Sequence, residues 1–308
     1  MVKSLALSLV AIWFVAISGH LIAQEQPALQ LPECDIFLFD LKNETDSFQL
    51  SNVRNITDRP GYDNQPWFTA NSQSVVYTAN GKPDRTDVFE YFIDSQETKQ
   101  VTDTPNQEYS PQSSPDNQSI SFVTDGKTAN QSVWIADRAT GNETWLLEKQ
   151  GQREPVGYYS WNRQTDHILY WSRYGFAVQL VKRDGSMSHY VTGNAPPSSP
   201  HIIPGTDMFS FLHRQDNGQV WLKELNPETL AVRPLTAISG SNNNYCWTPR
   251  KQVLMIIDDK LNLWSEADGE WNEVAQLESF GIQNGTRLMV SPDGKKLAVV
   301  GLPLSASD

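Results

Sequence analysis

The chain has 308 residues, 39% of them hydrophobic, with ten tryptophans and a formal net charge of −12. That length suffices for one or two domains with a sizeable core. The acidic balance argues against nucleic acid as a partner and against direct contact with an anionic membrane, since both repel a negative surface; solubility alone also accounts for it.

Residues 1–23 follow the order of a secretory signal peptide. Lys3 precedes the uncharged, largely apolar run Leu5 to Ile17, and small residues lead to an expected cleavage after Ala23. The run is short for a membrane span, and no later stretch approaches about 18 apolar residues. An uncleaved anchor is the alternative. Cleavage removes Lys3, leaving −12 − 1 = −13. The mature chain is therefore expected to be exported, periplasmic or secreted, with no membrane span. Residues 24–33 read as a short polar leader with two prolines. Leu31-Pro32-Glu33 is no lipoprotein box, so Cys34 is not expected to carry a lipid. Export leaves a Cys34–Cys246 disulfide chemically open, and two buried thiols are the other reading.

Asp35 to Leu41 (DIFLFDL) alternates and is rich in aromatic and branched residues, which predicts a strand. A turn is expected over Lys42 to Thr45, then a second strand from Phe48 towards Ile56. Six related segments follow. They are Pro66 to Asn71, Pro111 to Asp116, Tyr159 to Gln164, Pro200 to Gly205, Tyr245 to Arg250 and Leu288 to Asp293. With Pro292 as anchor the equivalents are Ala70, Pro115, Arg163, Pro204 and Pro249, spaced by 45, 48, 41, 45 and 43 residues. That is the period of a four-stranded propeller blade, about 40 to 50 residues.

Each anchor leads into a strand, at 74–78, 119–123, 167–171, 208–212, 253–257 and 296–300. A second alternating strand follows five of them, at 88–92, 133–136, 176–181, 220–225 and 261–264. Asp35 to Leu41 supplies the sixth. The expected fold is all-β: a six-bladed β-propeller over 34–301, whose N-terminal strands complete the last blade, with 302–308 as a tail. Asp293-Gly294 reads as a two-residue hairpin turn. An open sandwich or two stacked β domains is the alternative. No helical periodicity follows the leader, and no linker splits the ring.

Ser114-Pro115-Asp116-Asn117 and Ser291-Pro292-Asp293-Gly294, each followed by an apolar strand, resemble the TolB-type propeller repeat, which is similar to WD-type repeats. Weaker versions stand at the other four anchors, so the resemblance covers 34–301. It implies the six-bladed ring and a periplasmic setting, since TolB serves the Tol-Pal envelope system and docks a lipoprotein through its propeller. Only about ten residues separate the expected cleavage site from the first strand, too few for that family's N-terminal α/β domain. The chain resembles the propeller half alone, and a Tol-Pal role is not expected.

His167, His189, His201 and His213 form no metal spacing. There is no G-x-S-x-G elbow, no phosphate loop and no C-x-x-C pair. No catalytic residue is named, and the chain is read as non-catalytic. The candidate ligand site is the channel mouth. Asp63, Glu108 and Asn242 each stand three residues before Pro66, Pro111 and Tyr245, at the entry to an innermost strand. Carboxylates and amides in a ring suit a hard cation such as Ca²⁺, and turn capping is the other role open to them. No other cofactor is expected. Tyr159 and Tyr245 join the set as rim aromatics able to hold a peptide or sugar, with core packing as the alternative. Trp67, Trp161 and Trp247 are expected to wedge between blades. The expected function is a monomeric, exported scaffold that binds a protein or peptide partner. A propeller enzyme acting on polysaccharide, and a small-ligand or cation binder, remain open.

Overall fold

The computed structural model describes residues 31–44, 47–82, 85–150 and 154–304. The signal-peptide reading of residues 1–23 lies outside them. The first two strands, β1 (Asp35–Glu44) and β2 (Ser47–Asn55), form a hairpin. Five four-stranded meanders then follow. Blade 1 is β3 (Asp63–Phe68), β4 (Ser74–Lys82), β5 (Arg85–Phe92) and β6 (Thr98–Gln100). Blade 2 is β7 (Glu108–Ser113), β8 (Ser119–Thr124), β9 (Ser132–Asp137) and β10 (Glu143–Trp145). Blade 3 is β11 (Val156–Asn162), β12 (His167–Ser172), β13 (Ala177–Lys182) and β14 (Ser188–Thr192). Blade 4 is β15 (His201–Ile202), β16 (Phe209–Arg214), β17 (Val220–Leu225) and β18 (Val232–Ile238). Blade 5 is β19 (Tyr245–Trp247), β20 (Val253–Ile257), β21 (Lys260–Trp264) and β22 (Trp271–Gln276).

The chain ends with β23 (Ile282–Val290) and β24 (Lys296–Pro303), and β24 pairs with β1 from Asp35↔Gly301 to Asp40↔Lys296. The sixth sheet thus runs β23-β24-β1-β2. The ring closes as the repeat count predicts. β1 is buried on both faces: Ile36 and Leu38 pack towards blade 1, Phe37, Phe39 and Leu41 towards blade 5. A period-2 strand sandwiched between two neighbours needs apolar residues on both sides, which is why DIFLFDL has almost no polar face.

The repeat motif works through its side chains. Ser291 Oγ donates to Asp293 Oδ1 (2.6 Å) and accepts from Lys296 N (2.9 Å), while Asp293 Oδ1 also accepts from Lys295 N (3.0 Å). The same net stands at Ser114, Asp116, Gln118 and Ser119 in blade 2. It explains one departure from expectation. Ser291 N bonds Lys296 O, so the turn is a four-residue loop over 292–295 and not a two-residue one. The Ser and Asp oxygens satisfy loop amides that a tighter turn would not expose. Gly294, at φ +73°, takes the left-handed position that a Cβ would strain. A second departure is at the first hairpin, where pairing continues to Glu44↔Ser47 through the expected turn. Backbone pairing at an exposed outer edge needs no apolar side chains.

Both cysteines are free and buried, in different clusters. Among the described residues, no helix is long and apolar enough to cross a membrane.

Candidate channel site

The inner strands bring equivalent residues of the six repeats into rings. Five residues before the anchors stand Gln65, Ser110, Tyr158, Ser199, Asn244 and Arg287. Five of these six line one pocket, and the sixth, Tyr158, is bonded to Arg287. Two residues further on, Trp67, Gln112, Ser160, His201 and Met289 line a second cavity of about 350 Å³. The two-residue step is the strand period, which keeps both layers on the channel side. Trp67, Gln112, His201 and Met289 border both spaces, so the two adjoin along the channel.

The upper layer is polar. Arg287 Nη2 donates to the Tyr158 hydroxyl at 2.6 Å, and its guanidinium lies 4.9 Å from that ring's centre. Blades 6 and 3 face each other across the ring, so this bond spans the channel. Gln65 Oε1 accepts from Ser110 N (2.7 Å) and Thr78 Oγ1 (2.9 Å). Gln65 and Ser110 both sit at positive φ (57° and 51°) directly before prolines, within bulges of β3 and β7. That backbone is costly before proline, and the Gln65 side chain helps to hold it. The Ser110 hydroxyl is buried and has no hydrogen-bond partner. His201 stands edge-on to Tyr245 (4.8 Å), and burial pushes its pKa down to about 4, so it is neutral near pH 7. Tyr245 shares a 2.9 Å hydrogen bond with Ser210 Oγ, which also accepts from Trp247 Nε1 (2.8 Å).

The lower layer is mostly apolar. Trp67, Trp161, Trp247, Met289, Pro204, Pro249 and Pro292 border it. The three tryptophans do two jobs at once: each packs against a junction core, as expected, and also borders the cavity.

A strip of aromatics links the upper layer to the rim of blade 3. Tyr158 lies 5.7 Å from Trp171, which meets Phe176 edge-on at 5.7 Å. Gly157 permits this, because a Cβ there would come within 2.5 Å of the Trp171 ring. Phe176 is 53% exposed at φ +44°, beside Tyr174 at 77%; Tyr190, at 60%, lies along the outer strand of the same blade.

The residues named from sequence are dispersed. Asp63 begins β3 but is fully buried, bonded by Arg59 (2.6 Å) through one oxygen with the other unpartnered. Burial pushes its carboxyl up to about 6, against the pull of Arg59. Glu108 begins β7 and is buried; it accepts from Thr102 (2.8 Å) and Thr104, and burial raises its pKa. Asn242 donates to Ile256 O (3.0 Å) and Thr286 O (2.8 Å) and accepts from Asn244 N, the work of a turn cap. Tyr159 is buried, with its hydroxyl on Ser121 (2.8 Å) between blades 2 and 3. Tyr245 alone of the five borders the channel. Among the described residues no group of three or more His, Cys, Asp or Glu could hold a metal ion. The ring residues were legible from the repeat alignment: stepping back five positions from each anchor names them all. A lone Arg287 in a polar stretch does not stand out without that step.

No family model matches the chain, and no curated protein matches it by sequence. Solved structures do. A putative TolB from Agrobacterium tumefaciens is 14% identical, with a TM-score of 0.66 over 88% of this chain and 99% of that one. A gluconolactonase from Xanthomonas campestris is 12% identical, with a TM-score of 0.59 over 91% and 99%. TolB from Acinetobacter baumannii is 12% identical, with a TM-score of 0.56 over 87% of this chain, which spans 63% of that protein's length. At such identities the likeness is one of fold, and one fold hosts many functions. The chain has the TolB-like six-bladed β-propeller fold.

Proposed function

We propose that the chain is an exported propeller that binds a protein or peptide partner, with the rim of blade 3 and the adjoining channel mouth as its contact face. The observation that carries this reading is the aromatic strip. Tyr174, Phe176 and Tyr190 expose large rings, and Phe176 keeps its place at a positive φ that is costly for a bulky residue. Aromatic side chains of this kind supply contact area at low entropic cost and dominate binding energies at interfaces. The signal-type leader and the TolB-type repeat motif support export. Tyr245, at the channel wall, belongs to the proposed face; Asp63, Glu108, Asn242 and Tyr159 would act through the framework that holds it.

A photo-crosslinking residue at position 174, exposed to an envelope or secreted fraction, tests this. One specific adduct is expected, reduced about ten-fold by Phe176→Ser. Indiscriminate labelling, or an adduct insensitive to Phe176, would remove the blade 3 rim from the reading.

A further inference from the structure

We propose that the channel binds an organic carboxylate, with its anionic end on Arg287 and its apolar body in the tryptophan-lined cavity below. Arg287 carries a permanent charge and five N–H donors. Its hydrogen-bond partner is the Tyr158 hydroxyl, and among the described residues no carboxylate pairs with it. Its other near neighbours, Tyr62 and Cys34, are kept neutral at pH 7 because burial raises their pKa values. A cation enclosed by neutral groups is a poor arrangement unless an anion completes it.

A second, independent observation points the same way. Ser110 borders the same pocket and is more than nine-tenths buried, and among the described residues its hydroxyl has no partner. Buried hydroxyls without partners are uncommon in folded proteins. The space that Arg287 and Ser110 share is about 50 Å³, room for a small head group.

The chemistry of the lining selects the class. Gln65, Ser199 and Asn244 are uncharged, and His201 is neutral, so the site offers one positive charge. A planar monoanion matches one guanidinium fork, whereas a phosphate dianion would leave a charge unmatched in a low-dielectric channel. The adjoining 350 Å³, bounded by Trp67, Trp247, Met289 and prolines, suits an aromatic or aliphatic body. Met289 lies two residues from Arg287 on β23, so head group and body meet adjacent positions of one strand face. The site lies inside the channel and shares Tyr158 with the strip and Tyr245 with the proposed contact face, but its acid preference is read without a partner, so it stands or falls separately.

Calorimetric titration of the whole purified chain tests the proposal. The probes are 3-phenylpropionate, its neutral amide, inorganic phosphate, and N-acetyl-Ala-Ala-Phe with a free or an amidated C terminus. At least one acid is expected to bind about ten-fold or more tightly than its amide, with phosphate failing to compete. Arg287→Gln should erase that preference while the chain keeps a cooperative melt, and Ser110→Ala should weaken it about three-fold. Should R287Q not fold, Arg287→Lys, which keeps the charge without the fork, and the acid–amide comparison on the unaltered chain decide. Equal binding of acid and amide, no heat from any probe up to about 10 mM, or phosphate binding as tightly as the acid would each overturn it. Tighter binding of the peptide acid supports a peptide C terminus as the source; tighter binding of the free acid supports a small metabolite.

Discussion

The junctions flanking the closing blade and the junction between blades 1 and 2 solve the same packing problem with different materials. On either side of blade 6 the contact is apolar: Ile36, Leu38, Ala298 and Val300 meet Phe68, Val75 and Tyr77, while Phe39, Leu297 and Val299 meet Cys246, Leu254 and Ile256. Between blades 1 and 2, among the described residues, the buried apolar set is Val76, Val88, Ile120 and Phe122, with Trp67, Val101, Trp134 and Ala136 half-buried against it. Polar bonds take up the rest. Arg138 holds Glu90 (2.7 Å), Gln65 holds Ser110 N, and Asn117 Oδ1 accepts from Ala70 N (3.0 Å). The inner and outer halves of the closing blade meet through the β24–β1 ladder and the Lys296–Asp40 pair, with apolar burial on both flanks. Between blades 1 and 2 the directional bonds also shape the channel wall, through Gln65 and Ser110.

Truncation before Lys296 removes β24 and leaves both flanking clusters open. Loss of cooperative unfolding across the whole ring is expected by calorimetry, and a near-normal melting midpoint would refute the closure. Next in size is Phe39→Ala, which opens a cavity in the blade 5–6 cluster and should cost about 3–5 kcal/mol in denaturant unfolding, with little dependence on salt. Asp63→Asn isolates a buried acid at the apolar junction. Burial raises the Asp63 pKa from 3.8 to about 6, so the folded chain holds a proton that the unfolded chain releases within that window. The stability this group contributes is present below pH 3.8 and lost as pH rises through about 6. The variant should therefore gain on the parent between pH 4 and 7, by up to about 3 kcal/mol less the lost Arg59 bond; a pH-independent difference would contradict this. Glu90→Gln, which leaves the Arg138 charge unpaired at the polar junction, should cost about 2 kcal/mol, discounted for the partial exposure of Arg138. A cost near zero would mean that the small apolar cluster suffices. Smallest of all, Tyr174→Ser should change stability by less than about 0.5 kcal/mol, since its ring is exposed.

The ring was legible in the sequence because its determinants are local and repeated. Ser114, Asp116, Ser291 and Asp293 write the turn in their own side chains, and the alternating strands follow at a regular period. The first hairpin was legible too, but not the reach of its strands, since Lys42 to Glu44 pair with no apolar pattern to announce it. The site was harder. Asp63 and Glu108 have the residue types of ligands, but the chain spends them on Arg59 and on two threonine hydroxyls. Arg287 acquires its meaning only from Tyr158 on the opposite blade, 129 residues away. Chemistry that spans the ring cannot be read along one strand.

The closing pair has a mechanical consequence. Asp35, at the start of β1, lies opposite Gly301 near the end of β24, so the flanking segments leave the blade at the same edge. A load drawing those two segments apart would act across the strands and open their hydrogen bonds one after another, like a zipper, where a shear load would engage all of them together. That seam would then yield to a smaller pull along this direction than along the strands, and its resistance to force would depend on the direction in which the force arrives.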